Sequence, residues 1–158
     1  EKRKHTETGL YKTEVLGTRK YSDQPRGCSL SYMIHYMGRF APKRAAEQWK
    51  LYKRHMSQKM FGKMGFREFL PDYNGTWSPD SGPIIAGIGI AATGLGLNAA
   101  STIEDKRTFK TLEKSMSSIY TILNKTGSIP MINVLTRLGT DLLSSAIWLN
   151  AETKQKWY

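Results

Sequence analysis

The chain of 158 residues carries a single cysteine, Cys28. That excludes an internal disulfide framework and leaves no thiolate cluster for a structural zinc site. None of its three histidines stands at ligand spacing from a carboxylate, so no metal is expected. Strand-like alternation is nearly missing, LYKTEVLG near the start being the one short piece that reads as a strand or an extended lead-in. The expected class is therefore all-α. Nor is there a basic start followed by an apolar run and a small-residue cleavage site, so no signal peptide is visible. The first residue is Glu rather than Met, which points to a processed or partial chain whose upstream sequence lies elsewhere.

What is present suits a folded, water-soluble domain: 39% hydrophobic residues and a mean hydropathy of -0.48, in a chain long enough to bury one core. The net charge of +11 is placed unevenly. Residues 1–67 hold 16 Lys and Arg against 5 Asp and Glu, whereas residues 68–158 hold 8 of each. The basic half implies an acidic partner, which an anionic membrane surface, a nucleic acid or an acidic domain would each supply.

A polar, basic lead-in segment over 1–24 ends at Pro25-Arg26-Gly27, and a helical domain over 25–158 follows. Leu30, Met33, Ile34 and Met37 at helical spacing predict a short, mostly buried helix from about Cys28 to Arg39. Pro42 suits the first position of the next helix, where its missing N–H costs nothing. In that helix Ala45, Trp49, Tyr52, Met56 and Met60 share one stripe, and Lys43, Glu47, Lys50 and Arg54 share another. Residues 62–82 show turn signals and no sustained period, which predicts a long connection. Phe109, Leu112, Met116, Ile119, Tyr120 and Leu123 then mark an amphipathic helix that ends at Gly127 and Pro130, and a last helix is expected over about 131–150. An apolar helix followed by an amphipathic one thus occurs twice, a weak repeat of helical hairpins.

Between the two pairs lies SGPIIAGIGIAATGLGLNAAS, residues 81–101, with no charge and five glycines. Gly87-Ile88-Gly89-Ile90-Ala91-Ala92 matches the dinucleotide pattern, but the strands that must flank it are missing. The uncharged run to Ile103 is long enough to span a bilayer, yet it holds only seven large aliphatic residues. Small residues recur along one helical face at Gly82, Ala86, Gly89, Thr93, Gly96 and Ala100. Each interior glycine costs a helix about 1 kcal/mol, so a close neighbour or a ligand must offset them. The stretch is read as one buried inner helix.

Inner apolar helices alternating with outer amphipathic ones describe an α/α-toroid. The blocks PRGCSLSYMIHYMGRFAPKRAAEQWKLYKRHM, GFREF, SPDSGPIIAGIGIAATGLGLNAAS and GTDLLSSAIWLNAETKQKWY resemble bacterial proteins with a linalool dehydratase/isomerase-like domain. The resemblance implies the C-terminal part of an α/α-barrel, its remaining helices supplied by upstream sequence or another chain. It further implies cofactor-independent lyase or isomerase chemistry on a small organic substrate, by acid/base residues in a central cavity. It assigns no catalytic residue by position.

The residues themselves nominate Cys28, Glu68 and Asp80 as catalytic candidates. Cys28 opens a helix beside Arg26, where the dipole and the cation would lower a thiol pKa, although a small buried residue at a helix start is the plainer reading. Glu68 and Asp80 lie among aromatic residues, where desolvation raises a carboxyl pKa toward general-acid values. Asp80 would equally serve as a helix cap. Binding candidates are Arg26, Tyr32, His35, Tyr36, Arg67, Asp72, Tyr73 and Trp77. His35 is expected to hydrogen-bond within the core or line a cavity with Tyr32 and Tyr36. The leading function is a toroid fragment that binds or transforms a small ligand. The alternative is a non-catalytic helical module that docks on a membrane surface or partner through the basic helix, with Trp49 and Tyr52 beside its Lys and Arg. Nucleic acid is disfavoured, since no base-reading element is recognisable. A bacterial cytoplasmic or membrane-associated setting is the expected location.

Overall fold

The computed structural model describes residues 4–12, 15–16, 20–21, 24–60, 62–73, 77–78, 82–85 and 87–125. Its helices are α1 (Gly27–Phe40), α2 (Pro42–Met56), α3 (Ile90–Thr102) and α4 (Lys106–Lys125). Three small antiparallel pieces join them. β1 (Val15–Leu16) pairs with β2 (Lys20–Tyr21), and β3 (Ser57–Met60) pairs with β4 (Lys63–Phe66). The third is a sheet of β5 (Trp77–Ser78), β6 (Gly82–Ile85) and β7 (Ile88–Gly89). The protein is mostly helical, as expected, with short strand pieces added between and before the helices.

Two corrections follow from those strands. The helix through Trp49 stops at Met56, and Met60, which kept its stride of four, sits on β3 opposite Lys63. The glycine-rich stretch is not one rod. Its first half is the β6–β7 hairpin, turning at Gly87 with φ 80°, a conformation cheap only for glycine; α3 occupies the second half. The last helix expected over 131–150 lies outside the described residues.

Helical periodicity places the core as the sequence implies. Ala45, Trp49, Tyr52 and Met56 of α2 are buried, as are Leu30, Ile34 and Met37 of α1 and Phe109, Leu112 and Met116 of α4. Pro42 opens α2. α1 lies between α2 and α3, and α3 between α1 and α4. The glycines of α3 admit protein: a Cβ on Gly96 would stand 2.6 Å from the Phe66 ring, which nests on bare helix backbone. At the crossing of α1, α2 and α3 the Ser31 hydroxyl bridges Tyr52 (2.6 Å) and the carbonyl oxygens of Gly27 (2.9 Å) and Ala92 (3.1 Å). Burial raises the Tyr52 pKa well above its ordinary value, so this phenol stays neutral.

Asp105 fastens α2 to α4. Its carboxylate accepts from Thr108 N–H at 3.1 Å, capping α4, and from Trp49 Nε1 (3.0 Å) and Lys53 Nζ of α2. Burial alone would raise its pKa, but the bonds from Lys53, Trp49 and Thr108 outweigh that and hold the carboxyl well below its usual range. A depressed folded pKa stabilises the fold above the unfolded value of about 3.9, and that contribution fades as pH falls below it. Asp105→Asn should therefore lower unfolding free energy by about 1–2 kcal/mol at pH 7, allowing for a half-exposed Lys53. Urea titrations of both proteins should show the gap closing as the buffer is acidified below about pH 4.

Candidate functional site

The chain leaves β4 at Phe66 and brings Arg67 and Glu68 against the first turn of α1. An α-helix opens with N–H groups that have no intrahelical partner. Here Glu68 supplies them from forty residues away: its backbone oxygen accepts from Gly27 N–H (2.8 Å) and its Oε2 from Cys28 N–H (3.2 Å). Its Oε1 accepts from the Cys28 thiol at 3.0 Å and from Arg26 Nε at 3.2 Å, with Arg26 Nη2 at 3.1 Å. The Glu68 side chain is fully buried and that of Arg26 is 12% exposed. Two residues nominated independently for catalysis, Cys28 and Glu68, thus share a hydrogen bond, and Arg26 completes the cluster.

The electrostatics reverse one expectation. The Cys28 thiol is not activated by Arg26 and the helix dipole; its pKa is pushed up to about 12. Burial is the largest cause, followed by the charge of Glu68 and its hydrogen bond, while Arg26 pulls only weakly the other way. The guanidinium is already engaged by the carboxylate. An upward shift favours the neutral thiol over the thiolate that nucleophilic attack needs. Burial also raises Glu68, against the opposing effects of the thiol, Arg26 and the Cys28 N–H. The cluster thus sets a carboxylate with raised affinity for a proton directly behind a thiol that donates to it.

Other candidates fall around this cluster. The Arg26 guanidinium lies 5.6 Å from the Phe69 ring centre, and the Phe69 ring lies tilted against that of half-exposed Tyr73 with centres 4.7 Å apart. Tyr73 therefore stands where this aromatic path meets solvent, with Asp72 exposed beside it. Tyr32 and Tyr36, one and two turns beyond Cys28 on α1, are exposed with rings 4.6 Å apart. His35 is buried and hydrogen-bonds Thr102 of α3 through Nδ1 (2.6 Å), the core role anticipated for it. Arg67 enters through its backbone: its N–H donates to Met56 O (2.7 Å), and its side chain lies against Gly87. Asp80 and the side chain of Trp77 lie outside the described residues. Among the described residues no group of His, Cys, Asp and Glu could hold a metal ion.

Sequence reasoning missed Phe69 and Asp105. Phe69 gave no signal of its own. Asp105 did, because an aspartate just ahead of an amphipathic run is a helix-cap residue type. Comparison with family models, characterised proteins and solved structures finds no match. The functional reading consequently rests on this geometry.

Proposed function

We propose that the chain is part of an α/α-toroid, with α1 and α3 inside and α2 and α4 outside, and that it performs cofactor-independent lyase or isomerase chemistry on a small organic substrate. The observation that carries the chemistry is the 3.0 Å contact between the Cys28 thiol and Glu68 Oε1. Support for the toroid comes from the alternation: α1 and α3, 14 and 13 residues long, carry one Lys or Arg between them, Arg39, whereas α2 and α4 are basic on their outer faces. The resemblance to linalool dehydratase/isomerase-like proteins points to the same reaction class.

Glu68 meets no solvent, and the substrate's proton reaches it by way of the Cys28 thiol. A C–H proton of the substrate passes to Sγ as the thiol proton passes to Oε1, leaving the thiol intact and Glu68 neutral. Hydroxide lost from the adjacent carbon is then neutralised by the proton on Glu68, giving an alkene and water. Return of that proton to another carbon gives an isomer instead. Arg26 holds the carboxylate in register, and Tyr73 and Phe69 offer an apolar approach. The test supplies linalool and geraniol to the purified protein in D₂O and follows alkene formation and deuterium uptake by mass spectrometry. Turnover should fall about 100-fold in Cys28→Ala and in Glu68→Gln. Turnover unchanged in Cys28→Ala, or no alkene and no exchange from the wild type, overturns the reading.

A further inference from the structure

The charge of this protein is segregated by layer. On α2 the exposed side chains include Lys43, Arg44, Lys50 and Arg54, with Glu47 the one exposed acid. On α4 they include Lys106, Arg107, Lys110 and Lys114, and the β3–β4 hairpin adds Lys59 and Lys63. Among the described residues the ion pairs use Arg26 and Lys53 and none of these ten side chains. The three elements share a core. Trp49 and Lys53 of α2 reach Asp105 at the start of α4, and Met64 N–H of β4 donates to Ser115 of α4 at 3.0 Å. Each helix turns its apolar stripe to that core and its cations away from it.

We propose that this basic outer layer, α2, the β3–β4 hairpin and α4 together, docks on the surface of an anionic lipid bilayer. The inference is independent of the chemistry proposed at Cys28. Charge complementarity selects the partner class, since ten exposed cations against Glu47 make a surface attracted to any dense array of negative charge. Three features select lipid over nucleic acid. The cations are spread over the outward faces of three elements. Seven of the ten are lysines, point charges without the planar fork that pairs bidentately with a single phosphodiester. The aromatic residues that sequence placed in this patch, Trp49 and Tyr52, are buried behind it in the core, where neither ring can stack on a base. That burial also corrects the expectation of an aromatic anchor on α2. Among the described residues no helix is long and apolar enough to cross a membrane, so attachment is by surface charge, reversible and sensitive to salt.

The experiment is co-sedimentation of the purified protein with vesicles of phosphatidylcholine alone and of phosphatidylcholine mixed with phosphatidylserine. Binding is expected only to the mixed vesicles, and it should be lost as salt is raised. Each Lys or Arg near such a surface contributes roughly a fivefold factor. The double variants K50E/R54E and K110E/K114E should therefore each weaken binding at least twentyfold, about fivefold for each of two residues. Arg39→Glu, on the exposed side of α1, should change it less than twofold. Far-UV circular dichroism and thermal melts establish that each variant is folded, and the double variants Lys50→Gln with Arg54→Gln provide a gentler second test. Equal binding to both vesicle types, insensitivity to either double variant, or tighter binding to random-sequence duplex DNA than to the mixed vesicles at the same salt overturns the proposal.

Discussion

Glu68→Ala is expected to lower the unfolding free energy by about 3–5 kcal/mol, the range found when one partner of a buried ion pair is removed and its counterpart is left in place. The Glu68 side chain has no solvent contact, and Arg26 is nearly as enclosed. Without the carboxylate, Arg26 loses the anion that Glu68 supplies, Cys28 N–H loses its acceptor at the head of α1, and the thiol loses the oxygen it donates to. Glu68→Gln separates these terms. It retains an oxygen and nearly the same volume but no charge, so it should cost roughly half as much. Urea denaturation followed by tryptophan fluorescence and far-UV circular dichroism reads both. A loss below about 1 kcal/mol for Glu68→Ala would mean that the cluster is open to water.

The same group imposes a pH dependence opposite to that of Asp105. A carboxyl whose folded pKa is raised binds its proton more tightly in the native state, so its ionisation costs stability as pH rises from the unfolded value of about 4.3 through the folded one. Asp105 acts in the window below, losing its contribution as pH falls under its unfolded value of about 3.9. One carboxylate is buried with a thiol and a single cation. The other collects donors from two helices while remaining partly open to water. Environment, not residue type, sets the two signs.

The legible parts of this fold were the local ones. A stripe such as Ala45, Trp49, Tyr52 and Met56 repeats with the helix period, and each member is buried. The illegible parts were pairings between distant segments. Met60 continued the α2 stripe in sequence, but Gln58 pairs with Gly65 across a hairpin, and no one-dimensional pattern distinguishes the two. An apolar, glycine-rich run reads alike as a buried strand or a buried helix by periodicity alone; Pro83 and Gly87 were its only breaker signals, and they mark β6 and the β6–β7 turn. Cys28 and Glu68 were each legible as chemistry-bearing residues. Their meeting was not, and without it the direction of the thiol shift came out reversed, because the nearest charge in sequence is Arg26 and the decisive influences in space are burial and Glu68.

At that same helix head, Gly27→Ala is expected to be at least as damaging as the loss of Glu68. A Cβ on Gly27 would stand 2.0 Å from the backbone oxygen of Arg67, 3.0 Å from Arg67 C and 3.0 Å from the Ala92 side chain. A flexible side chain could swing aside, but a carbonyl between Met56 and the Glu68 cap cannot, because Arg67 N–H is bonded to Met56 O and Glu68 O to Gly27 N–H. To admit one methyl group, α1 must withdraw from both β4 and α3, breaking the Cys28–Glu68 contact as it goes. Ordinary overpacking costs about 1–3 kcal/mol; displacing backbone at a three-element junction belongs with the exceptional cases of about 4–5 kcal/mol. Gly62→Ala provides the contrast. Gly62 has φ 72° but nothing within 4 Å of a Cβ, so it carries only the conformational penalty of about 1–2 kcal/mol. A urea series should rank Gly27→Ala far below Gly62→Ala, with the Cys28 thiol of the former open to alkylation at neutral pH. Equal midpoints for the two variants would show that Arg67 and α1 are not held in contact, and the proton path proposed from Cys28 to Glu68 would have no fixed geometry to run through.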